Sequence, residues 1–129
     1  MMRHGKKIHR LGRPADQRKA LLRALTTQLL EHGAIKTTKV KARAVRPWVD
    51  KMILLAKDGS EAKRIQAAAW LYDLAVVKNI FELAKERYPT RNSDFTKMED
   101  TYATSDGKGG GAHYLRRGDS AQMVLLTLV

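Results

Sequence analysis

Residues 11–38, LGRPADQRKALLRALTTQLLEHGAIKTT, decide how the rest of this chain is read. Arg13 precedes a proline and is pushed out of the helical region, so no earlier helix continues past it. Pro14 suits a helix's first turn, where its missing N–H is no loss. Asp16 sits in that turn, favourably placed for the helix dipole. Leu21, Leu22, Leu25 and Leu29 fall at i, i+1, i+4 and i+8, one apolar stripe of a helix over 14–32. Lys19, Arg23, Thr26 and Thr27 are expected to project from another side. Gly33 is the natural left-handed residue after the last turn. The β-branched residues that follow predict a short strand at 35–38, with Thr38 as cap of the next helix.

Upstream lies a basic arm. Among residues 1–23, eight are Lys or Arg and one, Asp16, is acidic. Met1 to Gly12 has almost nothing that could enter a core and reads as extended. Its charges repel and bury little, so it is expected to order only against a polyanion.

Downstream, the pattern predicts a helix over 39–57 with Ala42, Val45, Val49, Met52, Ile53 and Ala56 on its apolar face. Pro47 predicts a kink, or a break into two helices. Trp48 reads as a core anchor in preference to a base-stacking platform. Gly59 and Ser60 stop one helix and cap the next, over 61–71, with Ile65, Ala68, Ala69 and Trp70 as burial candidates. Asp73 caps a fourth helix, 74–87, whose face is Val76, Val77, Ile80, Phe81 and Ala84. Residues 95–103 read as a strand and 104–111 as a flexible glycine-rich loop. Arg117-Gly118-Asp119 reads as a turn, and 122–129 as a last strand covered on both faces. The expected fold is α+β: about four helices packed with a small mixed sheet of about three strands. The domain plan is an RNA-binding arm at 1–13 and a single globular domain at 14–129.

The net charge is +12, unevenly placed. Residues 1–57 hold 15 Lys and Arg against three acids, and residues 58–129 hold ten against ten, so the whole excess lies in the first half. That favours a polyanion bound by one part of the molecule. The chain has no cysteine, which removes disulfides and thiolate metal sites. No apolar run reaches the roughly 20 residues of a membrane span, and the N-terminus lacks a secretory signal. His4, His9, His32 and His113 lack metal-site spacing, so no metal and no cofactor is expected. Lys108 among glycines lacks the spacing and hydroxyl residue of a phosphate loop. No triad or carboxylate pair stands out, so no enzyme is expected.

Several stretches together resemble the bacterial-type L17 family of ribosomal large-subunit proteins. They are Met2-Arg3-His4-Gly5-Lys6-Lys7, the segment 11–38, LAKDGS at 55–60, and RRGDSAQM at 116–123 before the last strand. The wording of 12–29 is most similar to plastid and cyanobacterial members. Departures fall at 92–97, at Gln122, at Pro47 and in the glycine-rich 99–115. The resemblance implies an α+β fold that binds large-subunit ribosomal RNA and supports assembly near the polypeptide exit region. Neighbouring ribosomal proteins are its further partners, with no membrane and no small-molecule substrate. It implies a plastid ribosome, with bacterial cytoplasm or mitochondrion as alternative settings. RNA contact is expected from Arg3, His4, Lys6, Lys7, His9, Arg10, Arg13, Arg18, Lys19, Arg23, Lys36, Lys39, Lys41 and Arg43. The alternatives from charge alone are a free nucleic-acid-binding protein of the nucleoid or transcription machinery, or, less favoured, an RNA-modifying enzyme.

Overall fold

The computed structural model describes residues 5, 8–100, 116 and 118–129. Its elements run α1 (Ala15–His32), β1 (Ala34–Thr38), α2 (Lys39–Asp58), α3 (Glu61–Trp70), α4 (Leu74–Arg87), β2 (Thr96–Asp100) and β3 (Met123–Leu128). The four helices and three strands are those the sequence predicts. The expectations for Arg3, His4, Lys6, Lys7, His113, the arm before Gly5 and the 104–111 loop lie outside the described residues.

Local chemistry sets most boundaries. The Pro14 carbonyl accepts the first helical bond, from the Arg18 N–H at 2.8 Å, so Pro14 stands one position before α1 rather than inside it. Gly33 closes α1 at φ 78°, its N–H donating to the Leu29 carbonyl; a side chain there would be strained. Ser60 and Asp73 cap α3 and α4 by accepting from the Lys63 and Ala75 N–H groups. Thr38 occupies the cap position of α2, yet its side chain makes no capping bond. The Lys39 N–H instead donates to the Gln122 carbonyl at 2.9 Å, so the start of α2 is tied to the entry of the last strand. The expected break at Pro47 is absent: α2 runs through it as one element. Pro47 is exposed, and its ring therefore displaces no core neighbour.

The sheet has the order β1-β3-β2. Both pairings are antiparallel, with Ile35 opposite Leu126 and Met98 opposite Leu126, where a mixed sheet was expected. The most apolar strand takes the centre and each neighbour runs against it. Val124 and Leu126 are fully buried on the helix-covered face, whereas Met123, Leu125 and Thr127 are half-buried on the other. The last strand is thus covered on one face, not two: Val124 and Leu126 pack with the core residues of α1 and α2, which meet the sheet on that face.

Helix α2 is the hub, touching all six other elements. Its six expected apolar residues are all buried, as are Ala44 and Leu55. One core region gathers Leu22, Leu29, Val45, Val49, Phe95 and Leu126; a second joins Met52 and Leu55 to Leu71, Val76 and Val77. Phe95 is fully buried and meets the Tyr88 ring edge-on at 5.0 Å between centroids. Its N–H donates to an Asp50 oxygen at 3.2 Å, and burial raises the Asp50 pKa despite that bond.

Two burial expectations fail. Thr26 and Thr27 are buried, not projecting. Their hydroxyls donate to the Leu22 and Arg23 carbonyls, one turn back, and Thr27 also accepts from the Tyr72 N–H. A threonine that satisfies its hydroxyl within the helix can enter a core. In α3, Ile65 is 63% exposed and Ala69 is exposed, while Ala67 is the buried residue. The helix is only ten residues long and meets α2 and α4 along a narrow line, which the smallest side chain fits.

Candidate nucleic-acid interface

The basic half of the chain converges where the end of the arm meets α1 and α2. The chain turns sharply just before α1. The Arg13 N–H reaches the Arg10 carbonyl at 3.3 Å, and Leu11 and Gly12 have φ 57° and 63°. Two consecutive left-handed residues reverse the backbone, which glycine tolerates and leucine does not. Leu11 is packed against the core, and that contact holds it there. The arm is therefore not extended up to Gly12; its last residues are folded onto the domain, with Arg10 and Arg13 exposed on the turn.

Beside this turn is a cleft of about 430 Å³. His9, Arg18, Lys19 and Arg43 stand on its walls; Leu22, Ala44, Pro47, Trp48 and Trp70 line it with apolar surface. Among the described residues lining it, none is acidic. Arg18 and Lys19 come from the first two turns of α1, His9 from the arm and Arg43 from α2. Positive charge from α1 and α2 thus shares one concavity with the His9 imidazole, where low-dielectric walls concentrate the field.

Arg43 also faces a neighbouring depression of about 390 Å³, lined in part by Lys39, Lys41, Arg116 and Asp119. Lys39 lies 3.9 Å from the Asp100 carboxylate. Arg116 is paired with Asp119 through two hydrogen bonds. Its guanidinium holds the Asp119 carboxyl down at about 2, helped by the Ala121 N–H. The turn before β3 is closed by this pair, by Gly118 at φ 104° and by the Ser120 N–H donating to the Arg116 carbonyl.

Of the described sequence candidates, His9, Arg18, Lys19 and Arg43 meet at the cleft. Lys39 and Lys41 join Arg43 next door, and Arg10 and Arg13 flank the turn. Lys36 is set apart, exposed on the sheet face away from the helices. Arg23 is engaged inside the protein. Its Nε donates to the Trp70 carbonyl at 2.7 Å, a second nitrogen donates to the Ala69 carbonyl at 3.1 Å, and the guanidinium lies 4.4 Å from the Tyr72 ring centroid. It satisfies the last carbonyls of α3, where a cation also suits the helix dipole.

Trp48 is half-buried and stacked on Trp70, with centroids 4.0 Å apart and planes 8° off parallel. It is packed against the core edge while also lining the cleft, so the core-anchor reading describes only part of it. Lys51, absent from the sequence candidates, lies 5.6 Å from the Trp48 ring centroid; the i, i+3 spacing in α2 carried that signal. Arg116 was also missed, and nothing local marks it, since a turn distant in sequence brings it beside α2. Among the described residues no group of His, Asp or Glu could hold a metal ion, and no helix is long and apolar enough to cross a membrane.

A three-stranded antiparallel sheet packed with four helices defines a small α+β protein. The chain belongs to the ribosomal protein L17 family, whose model matches residues 21–129. It is a structural ribosomal protein of the large subunit, localised to the ribosome and acting in translation, and membership implies ribosomal RNA and ribosomal proteins as its partners. The match begins inside α1, so residues 1–20, Arg18 and Lys19 among them, lie outside it.

Proposed function

We propose that this protein binds large-subunit ribosomal RNA through its basic end and supports large-subunit assembly near the polypeptide exit region. The observation that carries the reading is the convergence of His9, Arg18, Lys19 and Arg43 on one cleft without an acid among its described lining residues. Arg10 and Arg13 extend that surface along the turn, and Arg3, His4, Lys6 and Lys7 continue it in sequence. Lys39, Lys41 and Lys36 are further candidates, while Arg23 serves mainly to hold α3 on α1. Binding is driven by cations replacing counterions along folded RNA. The protein contributes no catalytic step; its work is to fix RNA segments and protein neighbours against one another. The wording of 12–29 supports a plastid setting.

Sedimentation of native extract tests the reading. The protein should comigrate with large subunits, and nuclease treatment should release it. Migration with nucleoid DNA, or as a free protein in extract rich in intact subunits, would refute it.

A further inference from the structure

The cleft beside α1 combines two chemistries that phosphate binding does not require together. Cations suffice for a backbone phosphate. Here four basic side chains stand around an apolar floor that includes Leu22, Pro47, Trp48 and Trp70. An open hydrocarbon surface flanked by cations suits a ligand that is flat and apolar in its middle and anionic at its ends. A nucleotide turned out of its stack has that form. The volume of about 430 Å³ falls among clefts that hold small ligands, about 300–1,000 Å³. Single-stranded RNA elements are commonly recognised by seating splayed bases on aromatic side chains.

We infer that this cleft seats one unpaired nucleobase of the RNA. The base lies against Pro47 and the indole pair, and Lys19, Arg18 and Arg43 engage the phosphates on either side. This deepens the RNA-binding reading and rests on it. It also accounts for the folded-back end of the arm: Ile8 and His9 form a wall that an extended arm would remove.

Trp48 and Trp70 are the chain's two tryptophans, so the whole protein's indole emission reports on this cleft. The probes are hairpin RNAs with one bulged nucleotide, each of the four bases in turn, the fully paired hairpin, and a hairpin with an abasic bulge. The full-length protein should bind at least one bulged hairpin roughly five- to a hundredfold more tightly than the paired or abasic forms, with a change in tryptophan emission that only that hairpin produces. Ala15→Phe places a ring at the cleft from an exposed position. It should abolish the preference while leaving the salt slope unchanged. Lys19→Ala should keep the preference and lower the slope by about one unit.

Steeply salt-dependent binding without preference for any bulged base overturns the inference and leaves the RNA-binding reading standing. Equal competition by polyglutamate at matched charge also overturns it, because the cleft would then read charge alone. Salt-independent or absent binding to every hairpin and to ribosomal RNA overturns both.

Discussion

Removing the three strongest cations of the cleft should change how binding depends on salt more than it changes the fold. Arg18, Lys19 and Arg43 are half-buried or exposed, and none lies in either core region. Each phosphate contact contributes about 0.7 to 0.9 to the slope of log affinity against log salt. The triple alanine variant should therefore flatten the slope by about two to three units. Between 50 and 200 mM salt, its deficit relative to the wild type should shrink by roughly fifteen- to fortyfold on the same principle. The control removes equal charge from residues that do not line the cleft: Lys63, Lys78 and Lys85, on α3 and α4. Filter binding of both variants to large-subunit ribosomal RNA across a salt series, with a thermal melt of each, makes the comparison. An equal loss of slope in both would show that total charge, and not the cleft, governs binding.

Three further outcomes follow from contacts inside the fold. Arg23→Ala should cost roughly 1–3 kcal/mol by leaving the Trp70 and Ala69 carbonyls without their charged donor, yet leave the salt slope unchanged; a flatter slope with an unaltered melt would reverse that assignment. Phe95→Ala empties the largest fully buried side chain among the described residues and should cost about 3–5 kcal/mol in denaturant unfolding, while a cost below about 1 kcal/mol would mean that the sheet end is not part of the core. Asp119 should titrate near 2 by side-chain NMR. The lowered carboxyl stabilises the turn at pH above the ordinary value of 3.8, and that contribution is lost as pH falls toward 2; in Arg116→Ala the midpoint should return toward 3.8, and an unmoved midpoint would discount the pair.

Much of the fold is legible in the sequence because its signals are short-range. Gly33 and Gly59 end helices, Ser60 and Asp73 begin them, and each acts on backbone groups within four residues. The six-residue apolar face of α2 is equally local, whereas Ala44 and Leu55 are buried off that face because α2 has neighbours on more than one side. The concentration of +12 in the first 57 residues needs no structure at all. The nearness of Arg18 and Lys19 to the arm is legible too, because they sit on the first turns of the helix that follows it.

The remainder depends on where distant segments return. Lys19 and Arg23 lie one turn apart in α1 and look alike as sequence, yet Arg23 meets carbonyls 46 and 47 residues away, while Lys19 lines the open cleft. Trp48 becomes half core and half cleft only because Trp70 arrives to stack on it. Thr26 and Thr27 are buried because α1 is covered on more sides than its leucine stripe implies, and Ile65 is exposed because α3 is too short to turn that face onto a partner. The sequence by itself determined the helices, the caps at Gly33, Gly59, Ser60 and Asp73, and the half of the chain that carries the charge, since these follow from forces acting within a turn or two. Which cations face outward, how the strands are ordered, and that a basic rim closes around an apolar floor were decided only by tertiary packing, because each requires segments far apart in the chain to bury surface against one another.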